Sequence, residues 1–62
     1  MNIIHEMKDE HGTAWAICAM GGTFLIVFKK PGESWWSVDG EQYRDPDPAI
    51  KALKRRVSTR SI

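Results

Sequence analysis

Two runs of β-branched, aromatic and small apolar residues, 13–20 and 23–29, stand on either side of Gly21-Gly22. A two-residue glycine connection between such runs predicts a β-hairpin, because glycine adopts the positive φ angles of tight hairpin turns. The turn sets the register of the two strands, with Met20 opposite Thr23. This hairpin constrains the fold more than any other feature of the sequence.

Both faces of the predicted hairpin are apolar. Side chains alternate between the two faces of a strand, and an antiparallel sheet with one solvated face normally alternates apolar with polar residues. That alternation is missing here. One face carries Trp15, Ile17, Ala19, Phe24, Ile26 and Phe28, and the other carries Ala14, Ala16, Cys18, Met20, Leu25 and Val27. We therefore expect one face to be covered within the chain and the other to be covered by a partner.

Turn residues at short intervals predict further strands at about 2–7, 34–38 and 41–44. The pair Asp39-Gly40 between the last two is interpreted as a second two-residue hairpin turn. In that hairpin Trp36 pairs with Tyr43 on one face, and Trp35 lies opposite Arg44 on the other. A Trp35–Arg44 contact is either a cation–π contact on an exposed sheet or an interface anchor, since both residue types are enriched at binding hot spots.

The motif Asp45-Pro46-Asp47-Pro48 predicts the start of a helix, with Asp at the cap and Pro at the first helical position. A core-facing stripe follows at helical spacing, formed by Ala49, Ile50, Leu53 and Val57. The predicted fold class is α+β: an antiparallel sheet of four to five short strands with one C-terminal helix packed on one face. Residues 1–57 form a single domain, and residues 58–62 form a frayed tail.

The length of 62 residues allows one domain at most. Because Cys18 is the only cysteine, the chain has no internal disulfide, which is typical of a reducing compartment. The first residues lack the basic and apolar regions of a signal peptide, and Gly21-Gly22 breaks the longest apolar run. We expect a cytoplasmic protein that does not enter a membrane.

The residues that carry chemistry elsewhere do not form a recognisable catalytic pattern. His5 and His11 stand near Asp9 and Glu10, but their spacing is not that of a helical metal motif, and a structural zinc site needs four ligands of the Cys or His type. Cys18 stands between apolar residues and is expected to pack as a small hydrophobic side chain. We expect a protein without enzymatic activity, metal, cofactor or small-molecule substrate.

Charge is distributed unevenly along the chain. All eight acidic residues precede position 48, whereas five basic residues and no acidic ones follow it. A nucleic-acid-binding regulator is therefore an alternative function, in which the basic side of the helix contacts phosphates. The residues of that side are Lys51, Lys54, Arg55 and Arg56.

A sheet followed by a C-terminal helix is similar in outline to the small DNA-binding domains of tyrosine integrases and of a class of plant transcription factors. The resemblance implies DNA reading by a sheet decorated with Arg and Lys. The strands of this chain carry few such residues, namely Lys29, Lys30 and Arg44. The likeness is therefore one of architecture, and fold alone does not imply function.

The function that the sequence favours is a small non-catalytic protein-binding module, acting as an inhibitor, adaptor or regulator of the kind that phages and other mobile elements encode. Its partner is expected to be a target protein, a second copy of the chain in a homodimer, or both. The predicted interface is the second apolar face, with a tryptophan anchor at its edge. Its residues are Ala14, Ala16, Cys18, Leu25, Val27, Trp35 and Arg44.

Overall fold

A computed structural model describes residues 2–58 of the chain. Four antiparallel strands form one sheet in the order of the sequence, and a single helix follows them. The predicted α+β fold class is confirmed. The elements are β1 (Asn2–Lys8), β2 (Ala14–Met20), β3 (Thr23–Lys29), β4 (Ser37–Tyr43) and α1 (Pro46–Ser58). The tail predicted at 58–62 lies outside the described residues except for Ser58, which belongs to α1.

The hairpin of β2 and β3 has the predicted register. Met20 pairs with Thr23 at the turn, and Trp15 pairs with Phe28 at the far end. Gly21 and Gly22 both have positive φ angles, 57° and 82°, as a tight two-residue hairpin turn requires. Every pair of this ladder follows from the position of the two glycines.

The second predicted hairpin is wrong, because β4 is one strand that runs through Asp39-Gly40. Val38 pairs with Val27 and Gln42 pairs with Leu25, so that β4 bulges away from β3 between these pairs. Gly40 has a φ of 74° within the bulge. An Asp-Gly pair can supply a positive φ angle to a bulge as well as to a tight turn.

The pairs predicted for that hairpin are wrong for the same reason. Tyr43 pairs with Phe24 of β3 and not with Trp36. Trp35 precedes the first residue of β4 and Arg44 follows its last, so the two stand beyond opposite ends of the strand and not opposite each other. The anchor pair expected from the sequence therefore does not form.

The helix α1 packs on one face of the sheet and closes the main core. It begins at Pro46, directly after Asp45, as predicted. Ala49 and Leu53 are fully buried against Ile17 and Ile26, and the larger apolar side chains around them complete the cluster. Ile50 and Val57, the other residues of the predicted stripe, are half-buried. Among residues 2–58, no helix has the length and apolar character needed to cross a membrane.

Candidate functional site

The face of the sheet opposite α1 is the second apolar face expected from the sequence, and we call it the outer face. Residues that pair across an antiparallel ladder share a face, so the register assigns its members. Its apolar side chains come from all four strands and from the residue before β4. They are Ile3, Ala14, Ala16, Cys18, Met20, Leu25, Val27, Trp36 and Val38.

The centre of the outer face is closed by the chain's own side chains. Ala16 and Cys18 are fully buried, and Val27 is 1% exposed. Ile3, Leu25 and Trp36 pack over them as partly buried neighbours. The small side chains of β2 therefore form a second, thin core, and the larger side chains around them form the surface of the outer face. Cys18 packs as a small hydrophobic residue, as predicted.

Exposed apolar side chains lie at the margins of the outer face. Val38 on β4 is 56% exposed, and Met20 at the end of β2 is 54% exposed. The two edge strands of the sheet are irregular, because β1 has a register shift around Ile4 and β4 has its bulge at Gly40. Such bulges hinder strand-to-strand pairing with another chain. The face of the sheet is therefore better suited to association than its edges.

Trp36 belongs to the outer face, although the sequence predicted it on the face opposite the interface residue Trp35. Its ring packs on the cluster of Ala16, Cys18 and Val27, and the Lys29 ammonium lies 4.8 Å from the ring centroid. This distance is within the range of a cation–π interaction. The sequence did not reveal this residue because the hairpin predicted at Asp39-Gly40, which is wrong, placed Trp36 on the same face as Tyr43. Ile3 and Val38 were missed because their faces depended on strand registers that the sequence left open.

The structure brings together five of the seven predicted interface residues. Ala14, Ala16, Cys18, Leu25 and Val27 share the outer face, and all but Leu25 are buried within the chain. Trp35 is 60% exposed in the bend before β4, and Arg44 is exposed after it. Trp35 therefore exposes a large apolar surface, at the other end of β4 from Arg44.

The turn between β1 and β2 is organised by the carboxylate of Asp9. Its Oδ1 accepts hydrogen bonds from the backbone N–H groups of His11 and Thr13, both at 2.9 Å. Its Oδ2 accepts one from the indole Nε1–H of Trp15 at 3.0 Å. These bonds, led by the one from the indole, lower the pKa of Asp9 below its ordinary value. No group of three potential metal ligands is assembled within residues 2–58.

The basic residues of α1 have two different environments. Lys51, Lys54 and Arg55 are exposed on the side away from the sheet. Arg56 is half-buried, and its Nε donates a hydrogen bond of 2.7 Å to Oδ2 of Asp39 on β4. That bond raises the pKa of Arg56. The predicted cationic side is thus present, but Arg56 also ties the helix to the sheet.

Comparison with known proteins adds no further constraint, since no family model, no curated protein and no solved structure matches this chain.

Proposed function

We propose that this chain is a small non-catalytic protein-binding module that uses its outer face. The observation that carries the proposal is an apolar face spanning all four strands, which α1 leaves uncovered. Its centre is buried within the chain, and at its margins Met20 and Val38 expose the kind of apolar surface that marks an interaction site. A chain of 62 residues also gains much from sharing its core with a partner.

The expected partner is a second copy of the chain, because the complement of a flat apolar sheet face is another such face, packed about 10 Å away. The dimensions of the strands limit the area of such a contact. Each strand has 7 residues and spans about 23 Å, and four strands span about 19 Å. The outline of the face is then about 440 Å², so a face-to-face dimer buries at most about this area on each copy, or roughly 900 Å² in total. Stable complexes bury about 1,200 Å² or more, so the dimer is expected to be weak and exchanging.

A weak dimer leaves the outer face available to a target protein with a similar surface. In that role the module acts as an inhibitor, adaptor or regulator, with exposed Trp35 as an additional anchor. The buried thiol of Cys18 supports a non-catalytic role, since a substrate has no access to it. A single cysteine in the chain favours a reducing compartment, and we place the protein in the cytoplasm.

Dilution followed by NMR tests the proposal residue by residue. As the concentration falls from about 1 mM to about 20 µM, a dimer with a Kd between these values dissociates. We expect the amide resonances of Val38 and Leu25 and the indole resonance of Trp36 to shift with concentration. The amide of Lys51, on the exposed side of α1, is the internal control and stays in place. Shifts confined to α1, or no shifts, would refute an interface on the outer face.

A second candidate function, nucleic-acid binding by α1, is favoured by the exposure of Lys51, Lys54 and Arg55 on one side of the helix. If it operates, the double variant Lys54→Glu, Arg55→Glu loses retention on a heparin or DNA column. Parent protein that passes through the column at about 50 mM salt would exclude this function. The outer face is on the other side of the sheet, so this result is independent of the dilution experiment.

A further inference from the structure

A cleft of about 400 Å³ lies at the end of the sheet where the β1–β2 turn and the end of β3 approach α1. It is on the helix side of the sheet and shares no residue with the outer face. Its volume is within the range of small-molecule sites, which begins at about 300 Å³. The lining residues are Asp9, His11, Thr13, Trp15, Phe28, Lys30 and Arg56.

The apolar surface of the cleft is aromatic. Trp15 and Phe28 are both half-buried, with ring centroids 5.3 Å apart and ring planes tilted by 35°. The hydrogen bond from the indole N–H to Asp9 satisfies the polar edge of the Trp15 ring and holds its orientation. An oriented aromatic pair of this kind is a platform on which a flat ring stacks.

The carboxylate of Asp9 adds one acceptor to this platform. A carboxylate has about four acceptor positions, and three of those of Asp9 are occupied by two backbone N–H groups and the indole. The same hydrogen bonds stabilise the ionised form of the carboxyl, which lowers its pKa. One acceptor position therefore remains for an N–H group of a ligand stacked on Trp15.

Three basic residues lie at the rim of the cleft: His11, Lys30 and Arg56. Arg56 is neutralised by its bond to Asp39, and the imidazole of His11 lies 4.0 Å from Glu10. The Lys30 ammonium has no ion-pair partner among residues 2–58, so it is the rim charge left for a ligand. A ligand that satisfies the whole cleft combines a flat ring, an N–H donor on the ring and an anionic group.

We propose that this cleft binds a nucleotide, with an amino-bearing base stacked on Trp15 and Phe28 and the phosphate at Lys30. The exocyclic amino group of the base donates to Asp9. A free mononucleotide and one nucleotide unit of a single strand present this same chemistry. The site goes beyond the proposed protein-binding function and does not depend on it.

The test is a titration of the full chain with adenosine monophosphate, followed by the indole N–H resonance of Trp15. The chain has three tryptophans, so Trp35→Phe and Trp36→Phe variants assign the Trp15 signal without altering the cleft. Adenosine and inorganic phosphate supply the ring and the charge separately. We expect the mononucleotide to move the Trp15 signal at concentrations at which phosphate leaves it in place, and adenosine to bind about tenfold more weakly. A short oligo(dA) strand that binds more tightly than the mononucleotide identifies a strand as the source, and equal affinity identifies the free nucleotide.

Two charge variants make the test specific. Lys30→Gln removes the rim cation from an exposed side chain and is expected to weaken mononucleotide binding about tenfold. Arg44→Gln removes one positive charge from an exposed side chain at the other end of the sheet, next to the Phe24–Tyr43 pair, and is expected to leave mononucleotide binding unchanged. The proposal is overturned if the Trp15 signal does not respond below about 10 mM mononucleotide. It is also overturned if phosphate alone reproduces the response, or if both variants weaken binding equally.

Discussion

Replacing Leu53 by alanine is expected to remove a large part of the stability of this fold. Leu53 is fully buried and joins α1 to Ile17 and Ile26 at the centre of the main core. The lost transfer free energy is about 2.4 kcal/mol, at about 0.8 kcal/mol for each carbon group removed. A cavity between helix and sheet adds to this, and the measured range for such changes is about 2–5 kcal/mol. A domain of 62 residues has about 3–9 kcal/mol in total.

Urea unfolding followed by tryptophan fluorescence measures this loss. At a slope of about 1 kcal/mol per M, the midpoint of Leu53→Ala is expected to fall by about 2 M or more, or the variant is already unfolded in water. Lys54→Ala, the next residue along α1, is exposed and should stay within about 0.5 kcal/mol of the parent. A midpoint for Leu53→Ala equal to that of Lys54→Ala would refute the packing of Leu53 against Ile17 and Ile26.

Three further predictions concern polar and backbone contacts. Arg56→Gln removes the ion pair with Asp39, in which both side chains are about one third exposed, and should cost about 0.5–1 kcal/mol. Unfolding at low and high salt measures this loss, with Lys51→Gln on the exposed side of α1 as the control. Because the pKa of Asp9 is lowered in the folded state, its contribution is complete above the ordinary value of 3.8 and is lost as pH falls through the folded value. The urea midpoint of the parent should therefore decrease as pH falls below 3.8, and the midpoint of Asp9→Asn should decrease less. An equal decrease in both proteins would contradict the hydrogen bonds of Asp9 in the turn. Gly40→Ala forces a side chain into a φ of 74° and should cost about 1–2 kcal/mol by the same assay, whereas an unaffected midpoint would argue against the bulge.

The parts of the fold that could be predicted from the sequence depend on local rules. The register of β2 and β3 follows from Gly21-Gly22 together with period-two alternation, and the start of α1 follows from Asp45 and Pro46. The hairpin predicted at Asp39-Gly40 is wrong because tight turns and bulges both contain a residue with a positive φ angle. Only the pairing of β4 with β3 decides between them, and that pairing is not local.

Only part of the candidate site could be predicted, because the rest also depends on contacts that are not local. Because both faces of the hairpin are apolar, the sequence did not show which of them α1 covers. The structure places α1 on the face with the bulky Trp15, Ile17 and Ile26. The small side chains of the other face are closed by Ile3, Leu25 and Trp36, which come from three separate segments of the chain. That closure depends on tertiary packing and has no periodic signal in the sequence.

The burial of the outer face also determines which variants test its function. A charge at Val27 or Ala16 would enter a position buried within the chain itself and would unfold it. Val38 is exposed on the same face, so Val38→Lys alters the surface and leaves the core intact. Lys51→Glu, on the exposed side of α1, is the matched control for a change of charge.

Sedimentation equilibrium of the parent and of these two variants tests most directly whether the outer face binds protein. We predict that the mean mass of the parent rises with concentration from 7.1 kDa toward twice that value, with a Kd between about 10 µM and 1 mM. Val38→Lys should weaken this association about tenfold or more, while Lys51→Glu associates like the parent. A parent that stays at 7.1 kDa up to about 2 mM, or a Val38→Lys variant that associates like the parent, would contradict a protein-binding role of the outer face.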